Sequence, residues 1–340
     1  MDKFDINNRR YIGSKTSLLN EIASAIGKHS HKKKIKIADL FGGTGVVANY
    51  FHEKGDTIIV NDILYSNFVA YKTFMSNGEF SISKIKKALE NYNAIDSHKI
   101  DKNYFSETFG GKYFDEFDAR KIGFIREDLE KNRNIYTERE YYAILTSLLY
   151  ETDKIANTVG HFESFLKRKP VEKGVQLRLP NIKNIKNKNE IYCLDANKLV
   201  KEVTCDVAYI DPPYNARQYV NFYHVLENLA LWQKPTDFEG NSMKFKRNHL
   251  KSDYSKSKAP DVFRDLINNL NAKLIIVSYN NTYNARSGAS NNKISEEQLK
   301  EILETKGKVT RVDINYKFFN AGKTNFDNHK EYLYICEVNQ

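Results

Sequence analysis

Ile35-Lys-Ile-Ala-Asp39-Leu-Phe41 runs directly into Gly42-Gly-Thr-Gly45, and Val46-Val-Ala-Asn-Tyr-Phe51 follows. The first stretch is a short apolar run with an acid near its end, which predicts a buried strand. Glycines 42, 43 and 45 permit the tight turn and close backbone approach that carry a strand into a helix. The last stretch predicts that helix. Strand, glycine turn and helix in this order form the opening unit of a nucleotide-binding α/β sheet. A second strand, Thr57-Ile-Ile-Val60, ends at Asn61-Asp62. Upstream, Leu18, Leu19, Ile22 and Ile26 recur at helical spacing and predict an amphipathic helix over 14–26.

Beyond Phe74 the texture changes. Mixed-charge helical stretches such as 83–92 and 138–154 replace strands, and a basic segment, 167–188, closes the region. Strands return at 190–194, 207–210, 273–277, 309–316 and 331–338. The reading is an α/β fold in which residues 1–73 plus 190–340 build a Rossmann-like sheet and residues 74–189 form a helical insertion. A polar stretch, 234–258, reads as a long basic loop within the sheet domain. His161, in the insertion, reads as a structural histidine.

Composition bounds the function. The 340 residues include 53 Lys+Arg against 43 Asp+Glu, a formal charge of +10, which favours a polyanionic partner or an acidic substrate. Hydrophobic residues at 41% and aromatics at 13% are enough for a large core, excluding whole-chain disorder. Length alone predicts roughly two domain-sized units. No apolar run approaches the roughly 18 residues of a membrane span, and the polar start Met1-Asp-Lys-Phe-Asp5 is no secretory signal. A cytoplasmic protein is expected. Cys193, Cys205 and Cys336 lack the paired spacing of a zinc site, so reduced core cysteines and no metal are expected.

The sharpest chemical signal is Asp211-Pro212-Pro213-Tyr214, directly after the apolar run 207–210. Adjacent prolines cannot continue a central strand and fix φ twice, so they make a stiff projection at the carboxyl edge of the sheet. Ligands of α/β proteins bind at that edge. A planar amine suits such a site: the carboxylate and a nearby carbonyl accept its two hydrogens, while the ring stacks on the base.

With Asp39-Leu-Phe-Gly-Gly-Thr-Gly45 upstream, the tetrad resembles the motif pair of amino-directed DNA methyltransferases. Arg10-Tyr-Ile-Gly-Ser-Lys-Thr16 further resembles the amino-terminal motif of the Dam-like, alpha-group adenine enzymes. The resemblance covers most of the chain outside the insertion and the basic loop. It implies a Rossmann-like methyltransferase that uses S-adenosylmethionine on the adenine amino group in double-stranded DNA. It implies a cofactor site of Tyr11, Lys15, Asp39, Phe41, Gly43, Gly45, Asp62, Asp195 and Asp211, with Phe41 against the methionine part and Asp62 on the ribose. Asp211, Pro212, Pro213 and Tyr214 are the implied catalytic residues. A role beside a cognate restriction endonuclease, or alone in regulation, is inherited from the same family.

Competing chemistries fit less well. Carbon methylation of cytosine needs a cysteine nucleophile, typically after proline, and the chain has no Pro-Cys pair. Methylation of the cytosine amino group is the nearest rival, although those enzymes usually begin the tetrad with serine; RNA or protein amide methylation usually goes with asparagine there. A catalytically inactive DNA-binding module would not need both an intact tetrad and a glycine turn. A fused nuclease is not expected, since methylase elements take up the chain. Base readout needs planar bidentate groups, whereas lysine mostly meets phosphate. Segment 167–188 offers Arg168, Gln176, Arg178 and Asn181 as readers, with Lys183 on phosphate. Arg217 and Tyr219, close to the tetrad, are candidates to touch the target nucleotide. Arg247, in the second basic stretch, is a clamp or supplementary reader.

Overall fold

The computed structural model describes residues 1–30, 32–283, 288–315 and 330–339. The chain opens with β1 (Lys3–Phe4), α1 (Leu19–His29), β2 (Lys36–Asp39), α2 (Val46–Glu53), β3 (Thr57–Asn61) and α3 (Tyr65–Phe74). The insertion supplies α4 (Ile82–Asn93), α5 (Tyr104–Phe109), α6 (Glu116–Lys131), α7 (Glu138–Ile155) and β4 (Leu179–Pro180). Next come β5 (Glu190–Tyr192), α8 (Ala196–Leu199), β6 (Thr204–Ile210), α9 (Tyr219–Leu231), β7 (Phe238–Glu239) and β8 (Lys244–Phe245). The chain ends with α10 (Ala259–Asn269), β9 (Asn271–Asn280), α11 (Glu296–Glu304), β10 (Gly307–Asn315) and β11 (Lys330–Val338).

Seven strands form one mixed sheet in the order β10-β11-β9-β6-β2-β3-β5. Only β11 runs against the rest, pairing antiparallel with β9 and β10. Side chains alternate between two cores. Ile37, Val207, Tyr209, Leu274 and Ile276 pack beneath α1 and α2, whereas Ala38, Ala208, Ile210, Ile275 and Val277 face α8, α10 and α11. Both faces are covered, which is why these strands read as continuous apolar runs. The expected α/β sheet is present, and every strand and helix named from the sequence has a counterpart; Tyr316, in the expected strand 309–316, lies outside the described residues. From β2 the chain crosses to β3 on one side, while β6 returns on the other. That switch opens a crevice at the carboxyl ends of β2 and β6, where Asp39 and Asp211 stand.

The inserted helices share a third core with α3 and α9, including Leu89, Ile122, Leu145, Phe222 and Leu226. The basic segment contributes Val175, Leu177, Leu179 and Ile182 to it, and β4 pairs in parallel with β1. His161 packs against Phe222 with 5.1 Å between ring centroids, a structural contact. Two expectations need correction. Residues 234–258 are not a plain loop: β7 and β8 form a small hairpin, followed by two short 3-10 turns. Of the three free cysteines only Cys336 is buried, because Cys193 and Cys205 lie at strand ends. No helix among the described residues is long and apolar enough to cross a membrane.

Candidate active site

The glycine turn opens onto a cleft at the carboxyl edge of the sheet. Gly43 and Gly45 adopt φ of +54° and +79°, a region costly for other residues. A Cβ at Gly43 would meet Tyr11 at 3.0 Å, and one at Gly45 would meet Tyr71 at 2.8 Å and Ile6 at 2.9 Å. The turn is held from both sides. Gly43 N–H donates to Asp62 Oδ2 at 2.9 Å, and the Tyr71 hydroxyl donates to Gly43 O at 2.6 Å.

Eight of the nine residues expected at the cofactor line this one cleft: Tyr11, Lys15, Asp39, Phe41, Gly43, Asp62, Asp195 and Asp211; Gly45, the turn's last member, is not in the lining. Asp62 accepts the N–H groups of Gly43 and Leu64, and burial pushes its carboxyl up to about 6. Asp39 accepts the Ala48 N–H at 3.2 Å, and its Oδ1 is buried without a hydrogen-bond partner among the described residues. Burial, then the nearby Asp211 carboxylate, push it up to about 8. Asp195 caps α8 by accepting from Asn197 and Lys198. Phe41 meets Tyr254 edge-on, with 5.1 Å between centroids.

Beside the cleft lies a charged cluster. Lys15 Nζ, 7% exposed, stands 3.0 Å from Asp211 Oδ2 and 3.4 Å from Glu331 Oε1. The Tyr214 hydroxyl donates to Asp211 Oδ1 and lies 2.9 Å from Glu331 Oε1, which also accepts from Ser278 at 2.8 Å. Burial raises Asp211 above the usual carboxylate range; the Lys15 ammonium opposes this and Glu331 adds to it. Pro212 is buried and Pro213 lines the cleft, so the prolines aim Asp211 into it. Tyr214 departs from the open stacking platform the resemblance implies. Its hydroxyl turns inward and its ring meets Tyr279 at 4.7 Å, while Tyr219 is one of the rings in the cleft wall, with Tyr11, Phe41 and Tyr254.

The readers named from the sequence separate into two groups. Arg178 is half-buried, pairs through Nε with Glu151 and lies 5.2 Å from the Phe4 ring. Arg247 is 5% exposed, donating to Asn221, Glu239 and the Phe245 carbonyl. The Arg247 guanidinium is spent on tying elements together, against the expectation placed on it, whereas Arg178 is held at Nε by Glu151. Lys183 pairs with Glu53 at 2.6 Å. Gln176 and Arg217 are exposed, and Arg168 is exposed with Nε on Asn157 Oδ1 at 3.3 Å. Five contributors escaped the sequence reading. Asn61 bonds Leu40 and Leu194 and so joins the two walls; Leu250, Ser252 and Tyr254 bring the end of the basic stretch into the cleft; Glu331 arrives from the last strand. An asparagine directly before Asp62 was the only local signal among them.

Comparison with known proteins agrees with this geometry. Residues 11–284 match the family model of the D12 class N6 adenine-specific DNA methyltransferases. The chain is 39% identical over 313 residues to modification methylase StsI of Streptococcus sanguinis, covering 87% of this chain and 46% of that protein. It is 34% identical over 344 residues to type II methyltransferase M.NlaIII of Neisseria lactamica, covering 96% of this chain and 98% of the relative. Modification methylase LlaI of Lactococcus lactis subsp. lactis is 33% identical over 293 residues, covering 80% and 46%. The chain thus spans about half the length of StsI and LlaI and nearly all of M.NlaIII. On the family match and on the M.NlaIII alignment, the chain belongs to the D12 class of N6 adenine-specific DNA methyltransferases.

Proposed function

We propose that this chain methylates the exocyclic amino group of adenine in double-stranded DNA, using S-adenosylmethionine, as the modification partner of a restriction endonuclease. The observation that carries the reading is Asp211 at the mouth of a cleft whose floor is the glycine turn. The cleft suits this cofactor. The orphaned Asp39 Oδ1 is an acceptor facing a cationic ligand, and Asp62 presents carboxylate to a ribose. Phe41 offers an apolar wall, and the positive-φ glycines keep the floor free of side chains. When bound, S-adenosylmethionine supplies an electrophilic methyl group on a sulfonium.

The chain's own residues act on the adenine. Its amino nitrogen is a poor nucleophile because the lone pair is delocalised into the ring. Asp211, with the Pro212 carbonyl, accepts the amino hydrogens in charge-assisted bonds, which localises that pair. No base need remove a proton first, since an alkylated amine is far more acidic. Fixing the nitrogen in line is worth up to about 7–11 kcal/mol. Extruding the base costs a few kcal/mol, and stacking on an aromatic ring returns about 1–3 kcal/mol. Tyr219 in the cleft wall supplies that ring, while Tyr214 holds Asp211. The exposed Arg168, Gln176 and Arg217 meet DNA, with the basic segment on phosphate.

The test is transfer from tritiated S-adenosylmethionine to plasmid DNA, followed by hydrolysis to nucleosides. N6-methyladenine at one sequence motif is expected. N4-methylcytosine would replace the adenine reading by its nearest rival, and no transfer would defeat both.

A further inference from the structure

We propose that Glu331, on the last strand and beyond the part of the chain that matches the family model, is a positioning residue for methyl transfer, sharing Lys15 and Tyr214 with Asp211. The inference rests on the proposed methyl-transfer reading. Topology brings the residue there. Because β11 alone runs antiparallel, its first residues lie at the carboxyl edge of the parallel strands, with Glu331 opposite Asn280. The side chain is 3% exposed yet is not part of the cleft wall. One oxygen, Oε1, faces three donors: the Tyr214 hydroxyl at 2.9 Å, the Ser278 hydroxyl at 2.8 Å and Lys15 Nζ at 3.4 Å. A buried carboxylate with this much company is a built site, since an unpaired one would be costly.

Its effect on the chemistry follows from charge. Asp211 must pull on the amine, and an ammonium belonging to it alone would quench that pull. Glu331 draws Lys15 and the tyrosine hydroxyl partly away, so Asp211 stays electron-rich while both partners remain fixed. The groups facing Asp211 are Lys15 from the amino-terminal segment, Glu331 from β11, Tyr214 from its own turn, Tyr209 from β6, Asp39 from β2 and Tyr219 from α9. Glu331 is the negative neighbour whose removal leaves the cofactor wall intact.

Glu331→Gln keeps the shape and removes the charge. With Lys15 left to Asp211, the plateau kcat should fall at least about tenfold. The acid limb of the kcat/KM profile should move to lower pH, by about half a unit or more, because a like charge beside Asp211 is gone. Cofactor affinity by calorimetry should stay within about threefold of wild type. A purely structural role would not move the acid limb downward. A kcat within about twofold of wild type, or an acid limb that stays or rises, overturns the assignment. If this variant does not fold, Ser278→Ala carries the test. A fall in kcat of about threefold at unchanged cofactor affinity supports the assignment, and wild-type kcat overturns it. Wild-type protein that transfers no methyl group would instead defeat the functional reading itself.

Discussion

Asp211 is the proposed acceptor of the amine, and Lys15 and Tyr214 hold it in place. Replacing it with alanine should therefore remove at least about a hundredfold of methyl-transfer rate under saturating cofactor. Activity within about tenfold of wild type would show that another group accepts the amine. Asp62 carries a different load, since it fixes Gly43 and faces the expected ribose. Two charge-assisted bonds of about 1.5–3 kcal/mol each are at stake. Asp62→Ala should weaken cofactor binding by at least about tenfold in calorimetry, with DNA binding unchanged. An unaltered dissociation constant would contradict the ribose assignment. Asp39 gives a pH test. Its folded value of about 8 lies above the reference value of 3.8, so the folded state holds a proton that the unfolded chain releases. Its contribution to stability is complete below about pH 4 and is lost as pH rises through 8. Asp39→Asn should flatten the melting temperature of ligand-free protein across that window and raise it at the alkaline end. A variant curve parallel to wild type would refute this.

At the scale of elements, the site depends on how α9 meets α3. Glu227, fully buried on α9, accepts Tyr65 N–H at 2.7 Å and Ser66 N–H at 2.9 Å, capping the first turn of α3 from another helix. The cap matters because α3 carries Tyr71 to the glycine turn and α9 carries Tyr219 to the cleft. A negative charge at a helix amino terminus is favourable, and removing it leaves two buried donors without partners. Glu227→Ala should cost about 2–4 kcal/mol in denaturant unfolding at unchanged m-value. A loss of less than about 0.5 kcal/mol would mean that water replaces the carboxylate. Arg247 ties Asn221 of α9 to the β7–β8 hairpin in the same manner, by a planar fork rather than a point charge.

Over the whole molecule, the +10 excess of basic side chains is the long-range attraction for the proposed DNA, while individual lysines such as Lys183 and Lys246 are paired with acids at the surface. Exposed arginines should then set the salt dependence. Arg168→Ala and Arg217→Ala are each expected to lower the slope of log K against log salt by about one. Fluorescence anisotropy on a duplex oligonucleotide across a salt series measures this. Arg178→Ala and Arg247→Ala should instead lower thermal stability and leave the slope alone. If the slopes of the second pair fall and those of the first do not, the exposed and tied arginines have exchanged roles.

What the sequence by itself determined is local. The glycine turn, the acid at each strand end and the double proline act through the backbone of a few consecutive residues, so their consequences are visible in one dimension. Short continuous apolar runs then marked the strands of a sheet covered on both faces, and the helical texture of 74–189 set the insertion apart. Tertiary structure alone decided which charges are free. Arg178 and Arg247 have the right chemistry for readout, yet Glu151 and Glu239 neutralise them, and no spacing rule exposes a partner 27 residues away. Tyr214 likewise looked like an open ring until its hydroxyl met Glu331, 117 residues on. That meeting exists because one antiparallel strand enters a parallel sheet and lands its second residue at the carboxyl edge. Strand order is set by the burial of whole faces against one another, a property of the assembled sheet and not of any segment read alone.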